Sequence, residues 1–129
     1  MKQKEVDKIK ETIHNYVSGV VEFDFDRGES AWHPDGLKIS LDSGGRLVTR
    51  NILDTRPNLT PDEIRQMRNR VFQNATIQAI DVTGIAASVK LVWQFEMDGD
   101  KKRITDYVLL LRGEEDWRIV GKIYNEESA

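Results

Sequence analysis

Residues 104–124 read "ITDYVLLLRGEEDWRIVGKIY", two apolar runs on either side of Gly113-Glu114-Glu115-Asp116. Both runs are rich in β-branched and aromatic residues, and the four residues between them have the composition of a hairpin turn. A connection this short forces the strands 103–112 and 117–124 to be antiparallel neighbours. In the first run Tyr107, Leu109 and Leu111 alternate with Asp106, Val108 and Leu110. In the second, Trp117, Ile119 and Ile123 lie opposite Val120 and Tyr124. A hairpin apolar on both faces belongs at the centre of a sheet whose two sides are both covered.

Upstream, the pattern continues strand by strand. Residues 86–97 alternate cleanly, with Ala87, Val89, Leu91, Trp93, Phe95 and Met97 on one face and Ser88, Lys90, Gln94 and Glu96 on the other beside Val92. The Asp98-Gly99-Asp100-Lys101 segment is a hairpin turn, and Thr83-Gly84 turns residues 76–82 into the 86–97 strand. Helical spacing of Val6, Ile9, Ile13, Tyr16, Val17, Val20 and Val21 predicts an amphipathic helix over 4–22. Residues 23–35 read as a short, imperfect helix around Gly28 that ends before Pro34. Strands follow at 37–42 and 46–53 around the turn 42–45. Thr60 as N-cap, Pro61 at the first helical position and Glu63 three residues after the cap open another helix, with Ile64, Met67, Val71 and Phe72 as its buried stripe. Helices first and an antiparallel meander afterwards make an α+β fold. The two long helices can cover one face of the sheet only, and the loops are too short to blanket the other, which points to a homodimer through the sheet.

The chain has 129 residues, the size of one domain (about 100–150 residues is typical), and a net charge of −3. That charge argues against a nucleic-acid partner, and the clusters Arg65/Arg68/Arg70 and Lys101-Lys102-Arg103 read as solvated surface. With no cysteine, disulfides and thiolate chemistry are excluded. The N-terminus is charged and amphipathic, neither a signal peptide nor a membrane span, so a cytoplasmic location is expected. Two histidines, His14 and His33, on different elements support no metal site, and Asp98-Gly99-Asp100 lacks the remaining ligands of a calcium loop. No phosphate-binding glycine loop or nucleophile elbow is present, and no cofactor is expected.

The closing hairpin resembles that of the putative lumazine-binding family, within the nuclear transport factor two-like, or polyketide-cyclase-like, superfamily. Asp106, Tyr107, Leu109 and Leu111 match its first strand, and Trp117, Arg118, Ile119, Val120, Lys122 and Tyr124 its second. Tyr16 and Gly19 fit the family's Tyr-x-x-Gly at the end of the first helix, Trp32-His33-Pro34-Asp35 stands where it has Phe-His-Pro-Asp, and Gly45 fits its turn glycine. Gly28 and Gly36 depart from the pattern. The resemblance spans nearly the whole chain and implies a cone: a strongly curved antiparallel sheet wrapped around N-terminal helices, leaving a cavity at the wide end. Its relatives include isomerases, dehydratases, cyclases and epoxide hydrolases, so the fold transfers and the function does not.

Within such a cone the candidate catalytic groups are Asp106, His33 and Tyr16, with Asp24 and Asp26 nearer the mouth. Asp106 shares a strand face with Val108 and Leu110, and desolvation there raises a carboxyl pKa toward the range of a general base. His33 would share a proton with it and Tyr16 would donate to a developing oxyanion. The competing structural reading pairs Asp106 with a neighbouring strand, Arg46 or Arg50, and makes His33-Pro34-Asp35 a turn packed on Trp32. Trp32, Trp93, Phe95 and Tyr124 are candidates for a ligand-binding wall, with a place in the core as the simpler assignment. The expected function is binding of a small organic molecule in a mainly apolar pocket. The alternatives are a cofactor-free isomerase, dehydratase or cyclase using an Asp–His acid–base pair, and a protein-interaction module using the sheet face.

Overall fold

The computed structural model describes residues 2–114 and 116–129. Helix α1 (Lys2–Val21) and the short α2 (Phe25–Ser30) precede β1 (Trp32–Leu41) and β2 (Leu47–Asn51). A 3-10 turn (Ile52–Thr55) and α3 (Pro61–Arg70) lead into the long strands β3 (Val71–Thr83), β4 (Ala86–Met97), β5 (Asp100–Arg112) and β6 (Trp117–Ser128). The six strands form one unclosed sheet in the order β2-β1-β6-β5-β4-β3. All neighbours are antiparallel except β1 and β6, which run parallel, so the sheet is mixed where the sequence pattern suggests a purely antiparallel one.

The hairpins follow from turn chemistry. Asp98 and Gly99 both have positive φ (52° and 84°), the combination a two-residue turn of the favoured twist requires. The turn 113–116 contains Glu115, which lies outside the described residues; Arg112 pairs with Trp117 on either side of it. Three irregularities bend the sheet into the expected cone. Register shifts fall in β3 between Ile77 and Ala79, in β6 opposite Leu109/Leu110, and in β1 between Trp32 and Leu37. Each inserts unpaired residues into one strand, which increases local twist and curvature.

The concave face holds the core. Ile9 and Ile13 of α1 pack on Val89, Leu91, Val108, Leu110, Trp117 and Ile119, all nearly inaccessible. Burying each such aliphatic side chain contributes about 1.5–3 kcal/mol. Glu5 fastens the start of α1 to the sheet, accepting from Trp117 Nε1 at 2.5 Å and Arg112 Nη1 at 3.0 Å. At the other end α1 crosses α2 at Gly19. A Cβ there would lie 2.3 Å from Gly28 N and 2.4 Å from its Cα, so the glycine at position 19 is what allows the crossing. A Cβ on Gly28 would lie 3.6 Å from Gly19 Cα, an ordinary contact, so the close approach constrains Gly19 and not Gly28.

Several local expectations are corrected. The segment 31–35 is not the end of a helix, because α2 stops at Ser30 and Trp32 already pairs with Ile119. Residues 33–36 form a bulge opposite Val120, with Asn51 Nδ2 donating to Pro34 O at 2.9 Å. The capping box of Thr60 and Glu63 is present, yet α3 buries no residue and ends at Arg70. Val71 caps it and starts β3, and Phe72 is exposed, since a helix pattern this short yields to thirteen residues of strand pairing. On the convex face Tyr107, Leu109 and Leu111 are open to solvent, as their alternation with the buried Asp106, Val108 and Leu110 implies.

Candidate functional site

The bulge in β6 decides the chemistry of the concave face. Leu109 pairs with Gly121 and Leu110 with Ile119, leaving Val120 as the extra residue. Side-chain parity therefore reverses within the strand. Trp117 and Ile119 point inward before the bulge; after it Gly121 and Lys122 are buried and Ile123 is exposed. Ile123 consequently does not share a face with Trp117 and Ile119, contrary to simple alternation.

Lys122 meets a fully buried Asp106. Lys122 Nζ lies 3.2 Å from Asp106 Oδ2 and donates to the Tyr16 hydroxyl at 2.8 Å. The same Oδ2 accepts from Trp93 Nε1 at 3.0 Å and from the Tyr16 hydroxyl at 3.4 Å. Tyr16 is clamped edge-on by Trp32 and Trp93, with ring centroids 5.9 and 6.0 Å away. Burial holds the Tyr16 phenol above its ordinary range, so it is a neutral donor at physiological pH. Burial opposes the Lys122 ammonium, but the Asp106 charge and the hydrogen bonds to Tyr16 and Asp106 outweigh it, and Lys122 titrates above an ordinary lysine. Asp106 Oδ1 is buried without a hydrogen-bond partner among the described residues.

A cleft of about 250 Å³ opens from this cluster between α1, α2, β1 and the 3-10 turn. Tyr16, Trp32 and Lys122 line its buried end, Val20, Phe23, Phe25, Ile52 and Pro57 its walls, and Lys38, Glu29 and Arg56 the approach. Arg56 ties the mouth together, donating from Nε to Glu29 at 2.6 Å and from Nη2 to Asp26 at 2.6 Å, with its guanidinium 5.6 Å from the Phe25 centroid. A second opening, about 390 Å³ between α1 and the start of β6, is lined mainly by polar and charged residues, among them Lys8, Glu11, Asn15, Asp116 and Arg118, beside Ala31 and Trp117. The first cleft has the apolar lining and few convergent polar groups of a ligand site.

The candidate residues are distributed unevenly. Asp106 and Tyr16 come together, and Trp32 and Trp93 adjoin them. His33 does not join them: it sits on the β1 bulge, half exposed, with Nδ1 accepting from Asp35 N at 3.0 Å. The ion-pair partner of Asp106 is Lys122, not Arg46 or Arg50, and Asp106 does not itself line the cleft. Asp24 caps α2 and Asp26 pairs with Arg56. Phe95 lies beside Phe72 and Lys102 in a different depression, and Tyr124 is half-buried beneath Lys38 and Lys122. Lys122, Lys38 and Arg56 are the residues that alternation alone misses. Gly121, a strand-interior glycine next to a lysine, is the signal that flags the bulge. Among the described residues no cluster of three His, Asp or Glu could hold a metal ion, and no helix is long and apolar enough to cross a membrane.

An α+β cone of this kind is a recurrent architecture, and the chain falls within it. Residues 4–125 match the family described as "Putative lumazine-binding", and the chain belongs to that family. An NTF2-like protein of unknown function from Shewanella baltica OS155 superposes with a TM-score of 0.78 at 23% identity, over 100% of this chain and 98% of that one. A ketosteroid isomerase-like protein from Erwinia carotovora atroseptica SCRI1043 gives 0.67 at 13% identity, over 97% and 98%. An M. tuberculosis LEH-like epoxide hydrolase gives 0.59 at 15%, over 94% and 84%. At these identities the likeness establishes the NTF2-like fold alone. No curated protein matches the chain.

Proposed function

We propose that the chain binds a small organic molecule in the cleft at the end of α1, and that it works as a homodimer joined through the convex face of the sheet. The binding reading rests on one observation: a buried Lys122–Tyr16 donor pair stands at the closed end of an apolar-walled cleft. Asp106 holds that pair in place, accepting from Lys122, from Trp93 and, at 3.4 Å, from the Tyr16 hydroxyl, whose single proton would turn to a ligand on binding. The volume of about 250 Å³ suits a compact ring system rather than an extended chain. The dimer reading is supported by Tyr107, Leu109, Leu111 and Ile123, all 44–53% exposed on adjacent central strands. A central sheet face this apolar is characteristic of an interface.

A second reading, acid–base catalysis of the isomerase, dehydratase or cyclase kind, draws on the same donors. The Tyr16 hydroxyl and Lys122 ammonium would stabilise an oxyanion developing on a bound carbonyl compound. Asp106, with no exposed atom, would act in it as a positioning residue.

The binding reading is tested with a panel of single-ring compounds, followed by thermal shift and by 15N–1H NMR of the labelled protein. Saturable chemical-shift changes at Gly19, Trp32, Lys38 and Ile52 are expected for at least one compound. A ligand present at a hundred times its Kd stabilises the fold by about 2.7 kcal/mol. A panel that shifts only convex-face residues, or none, overturns the reading.

A further inference from the structure

Lys38 on β1 and Lys122 on β6 are direct register partners across the parallel pair. Their side chains leave the sheet on the same concave face and converge on one ring, with Nζ atoms 5.0 and 5.3 Å from the Tyr124 centroid. Both line the cleft. Like charges opposite each other on neighbouring strands are destabilising. Lys122 has its counter-ion in Asp106 at 3.2 Å. Among the described residues, no carboxylate comes within 4.0 Å of Lys38 Nζ. The mouth residue Arg56 is already matched by Glu29 and Asp26. The cleft is therefore lined by one ammonium, that of Lys38, with no direct ion-pair partner among the described residues.

We propose that the cleft is an anion site: its ligand is a compact organic carboxylate whose charged group is held between Lys38, Lys122 and the Tyr16 hydroxyl, with its apolar body against Trp32, Phe25 and Ile52. This rests on the binding reading above and adds the ligand's charge. The anion supplies the direct counter-charge that Lys38 lacks, since Asp106 is turned to Lys122, Tyr16 and Trp93 and acts on Lys38 only at a distance. Burial and then the neighbouring Lys122 lower the Lys38 pKa from that of a free lysine, outweighing the more distant Asp106 and Glu126 carboxylates. The pair is also asymmetric. Lys122 is fixed by its hydrogen bonds, whereas the Lys38 ammonium rests over the Tyr124 ring with no side-chain hydrogen bond among the described residues.

The test compares benzoate and salicylate with their neutral isosteres benzamide and salicylamide, by calorimetry and NMR on the wild type, Lys38→Met and Lys38→Gln. The carboxylates are expected to bind at least about tenfold more tightly than the amides, the worth of one charge-assisted hydrogen bond. Both variants should lose that preference. Without ligand, Lys38→Met should melt no lower than the wild type, because it removes the repulsion with Lys122. Amides binding as tightly as carboxylates, or variants retaining the preference, overturn the anion assignment and leave the cleft as a neutral-ligand site. If none of the four compounds binds at millimolar concentration, the cleft reading and the anion assignment fall together.

Discussion

Asp106 on β5 and Lys122 on β6 meet at 3.2 Å although they are not register partners: Asp106 pairs with Tyr124 and Lys122 with Val108. The contact is a diagonal across the concave face, and it exists because Val120 is an extra residue that turns Lys122 inward. A buried pair of this kind is strongly destabilised by removing one partner, about 3–5 kcal/mol, because the survivor keeps its desolvation cost without compensation. Asp106→Asn and Lys122→Met should each lower unfolding free energy by roughly that amount. The double variant should be much less destabilised than the two together, read by urea denaturation in a double-mutant cycle. Strict additivity would show that the pair is not coupled.

The glycine crossing of α1 and α2 gives a second prediction. Gly19→Ala places a methyl within 2.3–2.9 Å of backbone atoms of Gly28 and Asp24, which cannot swing aside as a side chain would. The expected loss is about 1–3 kcal/mol by overpacking. Because α2 supplies Phe25 and Glu29 to the cleft, ligand affinity should fall with it. A melting temperature equal to that of the wild type would contradict the close approach.

Alkaline pH separates the two lysines. Tyr16 and Lys122 titrate higher in the folded chain than their ordinary values of 10.0 and 10.5. Their contribution is complete below those values and is lost as pH rises above them, when the unfolded chain releases protons that the folded one retains. Lys38 titrates lower when folded and works in the opposite sense, adding stability as pH approaches 10.5. Denaturation curves from about pH 8 to pH 11 should therefore show a decline above about pH 10. Tyr16→Phe should flatten that decline and Lys38→Met should steepen it. The reverse ordering would contradict the assignment of these groups.

The convex face makes a prediction about assembly. Leu109→Glu introduces a charge among Tyr107, Leu111 and Ile123 without touching the core. Light scattering should report twice the 14.9 kDa chain mass for the wild type and the single-chain mass for the variant. A wild type that remains a 14.9 kDa species at micromolar concentration contradicts the dimer and returns this face to the protein-interaction reading.

What was legible in the sequence was local. Asp98-Gly99 marks a two-residue turn, the period-2 alternation of residues 86–97 marks a half-buried strand, and Thr60/Glu63 marks a helix start, each by chemistry contained in a few neighbouring residues. Tyr16 and Asp106 were legible as candidates because a polar group on an apolar face stands out. The rest depends on pairing between distant strands. Lys122 reads as outward-facing until the bulge at Val120 reverses the parity, and nothing within β6 alone specifies that Leu109 will oppose Gly121. His33 looks catalytic beside Trp32 and Asp35, yet the parallel pairing of Trp32 with Ile119 and Leu37 with Gly121 pushes residues 33–35 outward. The stripe of α3 failed for the same reason, since Val71 and Phe72 answer to their β4 partners Met97 and Glu96 rather than to helical spacing.

A crystal structure of the protein grown with salicylate tests the central claim most directly. The account predicts a ring in the cleft beside Trp32, with its carboxylate within about 3.2 Å of Lys122 Nζ or the Tyr16 hydroxyl. Salicylate bound only outside this cleft, with the space beside Tyr16 and Lys122 unchanged, would contradict it.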